Sequence, residues 1–215
     1  MRAGNIKLEQ LNKELETVDE FSVHPGEVSS FVWSRKGCPK AVPRKGRSAN
    51  YTLILCVRNV KKKAVVSYRL FENEKKKIKD AKTGKVSIKK GTDAIDFYNF
   101  LKNIELPTNE QYYLLLDNSK IHKTTKELEE LGLSMEELAR QKNITLVYLP
   151  RYTPELNPIE LCFNTVRYFT KNLPTDNEGE LEESIDKIID MINQKDLTKY
   201  LRHCQEFFSF DESGN

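Results

Sequence analysis

Asp117, Glu160 and Asp19 are the residues of this chain whose type and setting suit chemistry. Asp117 follows the apolar run Tyr112-Tyr113-Leu114-Leu115-Leu116, a pattern that predicts a buried strand, so its carboxylate belongs at the strand's mouth. Glu160 falls in the first turn of a helix predicted to begin at Pro158, where proline's missing N–H costs nothing, with Asn157 as its cap. Asp19 lies within Thr17 to Val23, which alternates as a strand does. Carboxylates gathered in one cleft repel each other unless cations neutralise them, and hard oxygen donors suit Mg2+ or Mn2+. Two such ions about 4 Å apart activate an attacking hydroxyl and stabilise the leaving oxygen of a phosphodiester, the chemistry of strand cleavage or strand transfer. Each acid alone has a plainer reading, Asp117 as a turn residue and Glu160 as a favourable charge at a helix's positive end. The three together, in one topology, point to metal ions.

The elements that must position these acids are readable from periodicity. A second apolar run, Ile144 to Leu149, follows the first after a helix-patterned segment. Two strands joined by a helix pair in parallel and open their carboxyl ends on one rim, where α/β sheets place ligands. Upstream, Lys7 to Leu15 predicts a short helix, and Tyr51 to Arg58 with Ala64 to Phe71 a hairpin turning near Asn59-Val60-Lys61. Glu74 to Lys90 is a charged excursion with a turn at Thr83-Gly84, and Thr92 to Ile104 has the apolar spacing of an amphipathic helix. Thr124 to Lys142 is helical but broken at Leu131-Gly132-Leu133-Ser134, where Ser134 and Glu137 form a capping box and start a second helix. Leu156 to Lys171, Glu180 to Ile192 and the weaker Asp196 to Phe210 complete the helices. The order of elements is that of an α/β layered fold. The loop from His24 to Ser48, with the single Trp33, is too long for an ordinary connection.

Composition narrows the function classes. At 215 residues, 31% charged and 38% hydrophobic, the chain suits one domain with a polar surface. No apolar run approaches the roughly 18 residues of a membrane span and no signal peptide precedes the charged start, so an intracellular protein is expected. Cys38, Cys56, Cys162 and Cys204 lack a Cys-x-x-Cys pair, which argues against a zinc site and a disulfide framework. The net charge of +3 hides an asymmetry: Arg58 to Lys90 holds thirteen Lys or Arg against three acids, and Glu178 to Asp196 seven acids against two lysines. The basic block is the expected contact for a polyanion, although Lys75-Lys76-Lys77-Ile78-Lys79 also reads as a solvated hairpin tip.

Asp117-Asn118-Ser119-Lys120-Ile121-His122 and Leu149-Pro150-Arg151-Tyr152-Thr153-Pro154-Glu155-Leu156-Asn157-Pro158-Ile159-Glu160 resemble the second and third catalytic motifs of DDE transposases of the mariner superfamily, in particular its bacterial insertion-sequence branch. Val18-Asp19-Glu20-Phe21 would be the first motif, and the likeness runs over residues 17–172. It implies an RNase H-like fold, a mixed five-stranded sheet flanked by helices, in which Asp19, Asp117 and Glu160 bind two Mg2+ or Mn2+ ions. It further implies hydrolytic cutting of DNA at transposon ends and joining of the freed 3′ hydroxyl to a TA dinucleotide, with no covalent protein–DNA intermediate. An RNase H-like endonuclease without strand transfer, or a domesticated DNA-binding protein without catalysis, are the alternatives; the presence of all three acids argues against the second.

The remaining residues are assigned partly by the resemblance and partly by local pattern and charge. Residues 1–16 are a helical lead-in, 17–172 the catalytic domain with a clamp loop at 24–48, and 173–215 helices packing on the same domain. Asn118 and Asn157 support the acids by fixing turns and caps, and His122 positions Asp117 or touches DNA. Glu20 points to the opposite face of its strand from Asp19. Expected DNA contacts are Arg35, Lys36, Lys61, Lys62, Lys63, Lys75, Lys76, Lys77, Lys120, Lys123 and Arg151. The partners implied are DNA and a second copy of the chain, reached by the Trp33 loop and held together on DNA. No membrane and no small-molecule cofactor is called for; the setting is cytoplasm or nucleoid in a bacterium, the nucleus in a eukaryote. Two features depart from the family. The 42 residues between Asp117 and Glu160 exceed its usual spacing, with the surplus expected at Gly132 to Glu137. Eighteen residues precede Asp19 where the family carries paired helix-turn-helix modules, as expected of an excised catalytic domain or a truncated or domesticated gene.

Overall fold

The computed structural model describes residues 15–25, 35–38, 50–73, 76–79, 86–89, 91–105, 111–173, 175 and 177–208. In chain order the elements are β1 (Leu15–Val23), β2 (Tyr51–Val60), β3 (Lys63–Glu72), β4 (Lys76–Lys79), β5 (Val86–Lys89), α1 (Ala94–Asn103), β6 (Tyr112–Leu116), α2 (Lys126–Glu130), α3 (Met135–Gln141), β7 (Ile144–Tyr148), α4 (Ile159–Thr170), α5 (Glu178–Asn193) and α6 (Thr198–Phe208). Five strands make the expected mixed sheet, and their order in it is β3-β2-β1-β6-β7. β1, β2 and β3 are antiparallel, whereas β6 and β7 join parallel to β1. The charged excursion contains β4 and β5, which pair only with each other. Leu15 opens β1 rather than closing a helix. The rest of that helix, Trp33 with most of its loop, and the Thr83-Gly84 turn lie outside the described residues.

Alternation along each strand divides the core in two. Val18, Ile54, Cys56, Leu114 and Leu116 meet Phe97, Leu101, Leu128, Met135 and Leu138 of α1, α2 and α3 on one face. On the other, Leu53, Leu55 and Val57 meet Ile159, Phe163 and Val166 of α4 and Leu181, Ile185 and Ile188 of α5. β2 is therefore buried on both sides from Tyr51 to Val57, which is why it reads as a continuous apolar run. Its hairpin with β3 turns at Lys61 and Lys62, with φ of 49° and 63°. Two successive left-handed residues match the strands' twist, so the ladder runs on to Val60 opposite Lys63, past the expected strand ends.

The helices begin and end where local chemistry directs. Asp93 accepts from the Ile95 and Asp96 amides and the Asp96 side chain returns the bond, a full capping box on α1. α2 closes with Gly132 at φ 69°, the Gly132 amide reaching the Glu129 carbonyl and the Leu133 amide the Leu128 carbonyl. Ser134 caps α3 through the Glu137 amide, and Thr124 accepts from the Met135 amide at 2.8 Å, tying the break to the preceding loop. At the outer edge of β3, the Val66 amide is taken by Asn193 Oδ1 and the Ala64 amide by the Lys195 carbonyl. The end of α5 thereby covers donors that would otherwise invite another strand. Among the described residues no helix is long and apolar enough to cross a membrane.

Candidate active site

Parallel pairing of β1 with β6 sets Thr17 opposite Leu115, which brings Asp19 level with Asp117. β7 continues into Leu149, whose amide donates to the Leu116 carbonyl at 2.8 Å, and then into the proline-bracketed turn. There Tyr152 adopts φ 61° and the Thr153 hydroxyl donates to the Pro150 carbonyl at 2.9 Å. A short helical turn, Pro154–Leu156, leads to Asn157 and α4, which presents Glu160. Asp19, Asp117 and Glu160, from three separate elements, line one cleft of about 460 Å³ together with Asn118, Ser119, Lys120, Arg151 and Asn157.

Asn157 does something other than cap a helix. α4 starts at Ile159 with Pro158 in the cap position, and the Ile159 amide lies 3.5 Å from Asn157 Oδ1, at the outer limit of a hydrogen bond. The buried Asn157 side chain is instead spent across the sheet. Its Oδ1 accepts from the Thr17 hydroxyl at 2.6 Å and its Nδ2 donates to Asp19 Oδ2 at 3.2 Å. The Glu20 amide donates to Asp19 Oδ1 at 2.8 Å. Both oxygens of Asp19 are thus held, one from its own strand and one from the loop before α4.

Glu20 lies on the opposite face, as alternation predicts, yet it remains linked to the site. His122 is fully buried, its Nδ1 2.7 Å from Asp117 Oδ1 and its Nε2 3.0 Å from Glu20 Oε1. The Ser119 amide also donates to Asp117 Oδ1, at 2.9 Å. The imidazole packs over the Phe97 ring, centroids 4.4 Å apart, and the Tyr148 hydroxyl donates to the His122 carbonyl at 2.9 Å. Asn118 accepts from Lys123 Nζ, which sits 5.1 Å above the Tyr148 ring. Lys123 is therefore engaged inside the fold.

Burial and repulsion set the charges. Asp19 is pushed up to about 7 by burial first, with Glu20 and Asp117 adding to the rise. Burial also raises Glu160 and Asp117 adds to it, opposed by the charge of Arg167. For Asp117, burial acts upward but the bonds from His122 and the Ser119 amide more than offset it, leaving the carboxyl below its ordinary range. Burial opposes charge on His122, yet its two carboxylate partners lift it to about 10, so the ring is an imidazolium donating at both nitrogens.

Asp19, Glu20 and His122 place ligand atoms within 4.8 Å of one another, the spacing of a metal centre. Both ring nitrogens of this buried His122 are already taken, Nδ1 by Asp117 and Nε2 by Glu20, so the cluster is an ion-paired strut. The fit for hard divalent ions lies across the cleft, where three carboxylates face the same space and Asp19 resists ionising unless a cation offsets its neighbours.

The predicted cations divide by position. Lys120 and Arg151 are exposed at the cleft. Lys61, Lys62 and Lys63 are exposed at the β2–β3 turn, six residues beyond Leu55, the partner of Asp19, and so ~20 Å away along the strands. Arg35 and Lys36 are exposed, Lys75 lies outside the described residues, and Lys76 and Lys77 lie in β4. One cation escaped the sequence reading. Arg167 stands two turns after Glu160 on α4, 5.0 Å over the Phe21 ring and 2.9 Å from Asn164 Oδ1. Its signal was the seven-residue spacing from Glu160, which returns a residue to the same helix face.

Residues 79–182 match the family model described as DDE superfamily endonuclease. No curated protein matches the sequence. The fold is shared with the Mos1 strand transfer complex, at 16% identity and a TM-score of 0.60, over 95% of this chain and 56% of that one. It is shared likewise with the Mos1 mariner paired end complex with Mn, at 14% identity and 0.61, covering 95% and 57%. The paired end complex with Mg gives 17% identity and 0.59, covering 96% and 56%. The chain thus spans a little over half the length of the proteins it matches. The layering they share is the RNase H-like one. Residues 79–182 are thus similar to DDE superfamily endonucleases, and the described chain shares the fold of the Mos1 transposase structures.

Proposed function

We propose that the chain is the catalytic domain of a DDE transposase, cutting DNA at transposon ends and joining the 3′ hydroxyl to target DNA. The observation that carries this reading is the meeting of Asp19, Asp117 and Glu160 in one cleft from β1, the end of β6 and the start of α4. These three side chains would hold two divalent ions, Mg2+ or Mn2+, which when bound supply a Lewis acid and an activated nucleophile. Mos1 complexes with Mg and with Mn support the choice of metals. Asn157 and the Glu20 amide orient Asp19, and His122 with the Ser119 amide orients Asp117. Lys120 and Arg151 meet the phosphates entering the cleft. Residues 17–172 form the catalytic unit, the helices after it belong to the same body, and the loop at 24–48 reaches a second copy on DNA. Such work belongs where DNA is kept, the nucleoid or the nucleus.

The test is joining of a labelled duplex with a terminal 3′ hydroxyl to plasmid DNA in Mg2+ or Mn2+. The parent is expected to join it, and Asp117→Asn, which keeps the shape and discards the charge, to fold normally and lose at least ~100-fold in rate, the scale of removing a charge-stabilising group. Equal joining by Asp117→Asn would refute the assignment, and cleavage without joining would favour an RNase H-like nuclease.

A further inference from the structure

The geometry points to Glu20 as a positioning residue that sets Asp117 through His122, across the thickness of the sheet. This rests on the reading of Asp117 as a metal-holding acid and adds a residue from the face away from the cleft. His122 Nε2 lies 3.0 Å from Glu20 Oε1 and 3.1 Å from Oε2, while its Nδ1 lies 2.7 Å from Asp117 Oδ1. A fully buried ring gripped at both nitrogens and packed on Phe97 has one orientation open to it. Asp117 is itself half exposed, at 48%, just past the end of β6. Its Oδ1 is fixed by two donors that converge from the turn after β6, the Ser119 amide and His122. The amide comes with the backbone, but the imidazole must be aimed, and Glu20 is the group on its far side that aims it. Placed next to Asp19 in β1, Glu20 thus couples the first motif to the second: its amide holds Asp19 and its carboxylate holds His122.

Partners behind a metal-holding group typically change metal affinity by about 10- to 100-fold. The measurement is Mn2+ affinity by electron paramagnetic resonance of the free ion, on parent, Glu20→Leu, Glu20→Asp and Glu20→Gln, with folding followed by circular dichroism. Glu20→Leu removes the acceptor and Glu20→Asp withdraws it by one methylene, so both should weaken Mn2+ about tenfold or more. Glu20→Gln keeps an acceptor oxygen in place and should stay within about threefold, a rescue that a merely space-filling role would not require. Because Glu20 acts through His122, Glu20→Asp in a His122→Gln background should add nothing further. If Glu20→Leu does not fold, Glu20→Asp and its double variant carry the test. Parent-like Mn2+ affinity in Glu20→Asp, or an undiminished effect in the His122→Gln background, overturns the inference while leaving the metal reading intact. A parent whose Mn2+ binding is absent, or indifferent to Asp117→Asn, overturns both.

Discussion

Asp19 is a carboxylate that the fold discourages from ionising. Its pKa rises from 3.8 to about 7, through burial and then through Glu20 and Asp117. Between those two values the folded chain holds a proton that the unfolded chain has released, so stability falls as pH rises through that window. The contribution is complete below pH 3.8 and lost above about 7. A divalent ion binds the ionised form and should recover what deprotonation removes. Stabilisation by Mg2+ is therefore expected to be small at pH 5 and larger at pH 8, reaching about 1.4 kcal/mol at ten times the Kd. Thermal unfolding with and without Mg2+ across that range checks it, and a gap that stays constant with pH would show that Asp19 does not hold the metal. The buried Glu16, also raised to about 7 by burial, affects both conditions alike and cancels in the difference.

At the level of elements, the cleft depends on helices that lie behind it. α1 carries Phe97 against the face of His122, and α1 is started by the Asp93 capping box. Asp93→Ala leaves amides at the helix start unpaired and is expected to cost about 1 kcal/mol. Because that loss falls on the side that backs His122, the variant should lower the thermal midpoint without abolishing metal binding at 25 °C, which unfolding curves and Mn2+ titration together report. Loss of Mn2+ binding in a folded Asp93→Ala protein would mean that α1 sets the site's geometry as well as its stability. At the break between α2 and α3, Gly132 and Ser134 end one helix and start the next within the crossover from β6 to β7, whose parallel ladder runs from Tyr112 opposite Ile144 to Leu116 opposite Tyr148.

At the scale of the whole molecule, exposed cations among the described residues include Lys120 and Arg151 at the cleft and Lys61, Lys62 and Lys63 at the far end of the β2–β3 hairpin. Phosphate contacts give affinity without sequence information, so DNA binding should be indifferent to sequence and should fall steeply with salt. Each lost contact reduces the slope of log affinity against log salt by about 0.9. Lys120→Gln with Arg151→Gln should lower that slope and slow joining at saturating DNA. Replacing Lys61, Lys62 and Lys63 together by Gln should lower the slope alone, because they lie at the opposite end of the sheet from the acids. Strong preference for one duplex over its scrambled version, or equal slowing by the two sets, would contradict this distribution.

Strands and helices were legible in the sequence because their signals are local: alternation along β1, the apolar runs of β2, β6 and β7, and the cap at Ser134. Asp117 and Glu160 were legible for the same reason, since each sits where a periodic segment begins or stops. Tertiary structure decided what those residues touch. Asn157 has a strong local reading as a cap, but a buried amide beside β1 satisfies more of its bonding with Thr17 and Asp19 than with one helix-terminal amide. Glu20 and His122 are 102 positions apart, and no local pattern relates an acid on one strand to a histidine after another. Only the parallel pairing of β1 with β6 brings them into reach, and only burial makes their pairing obligatory.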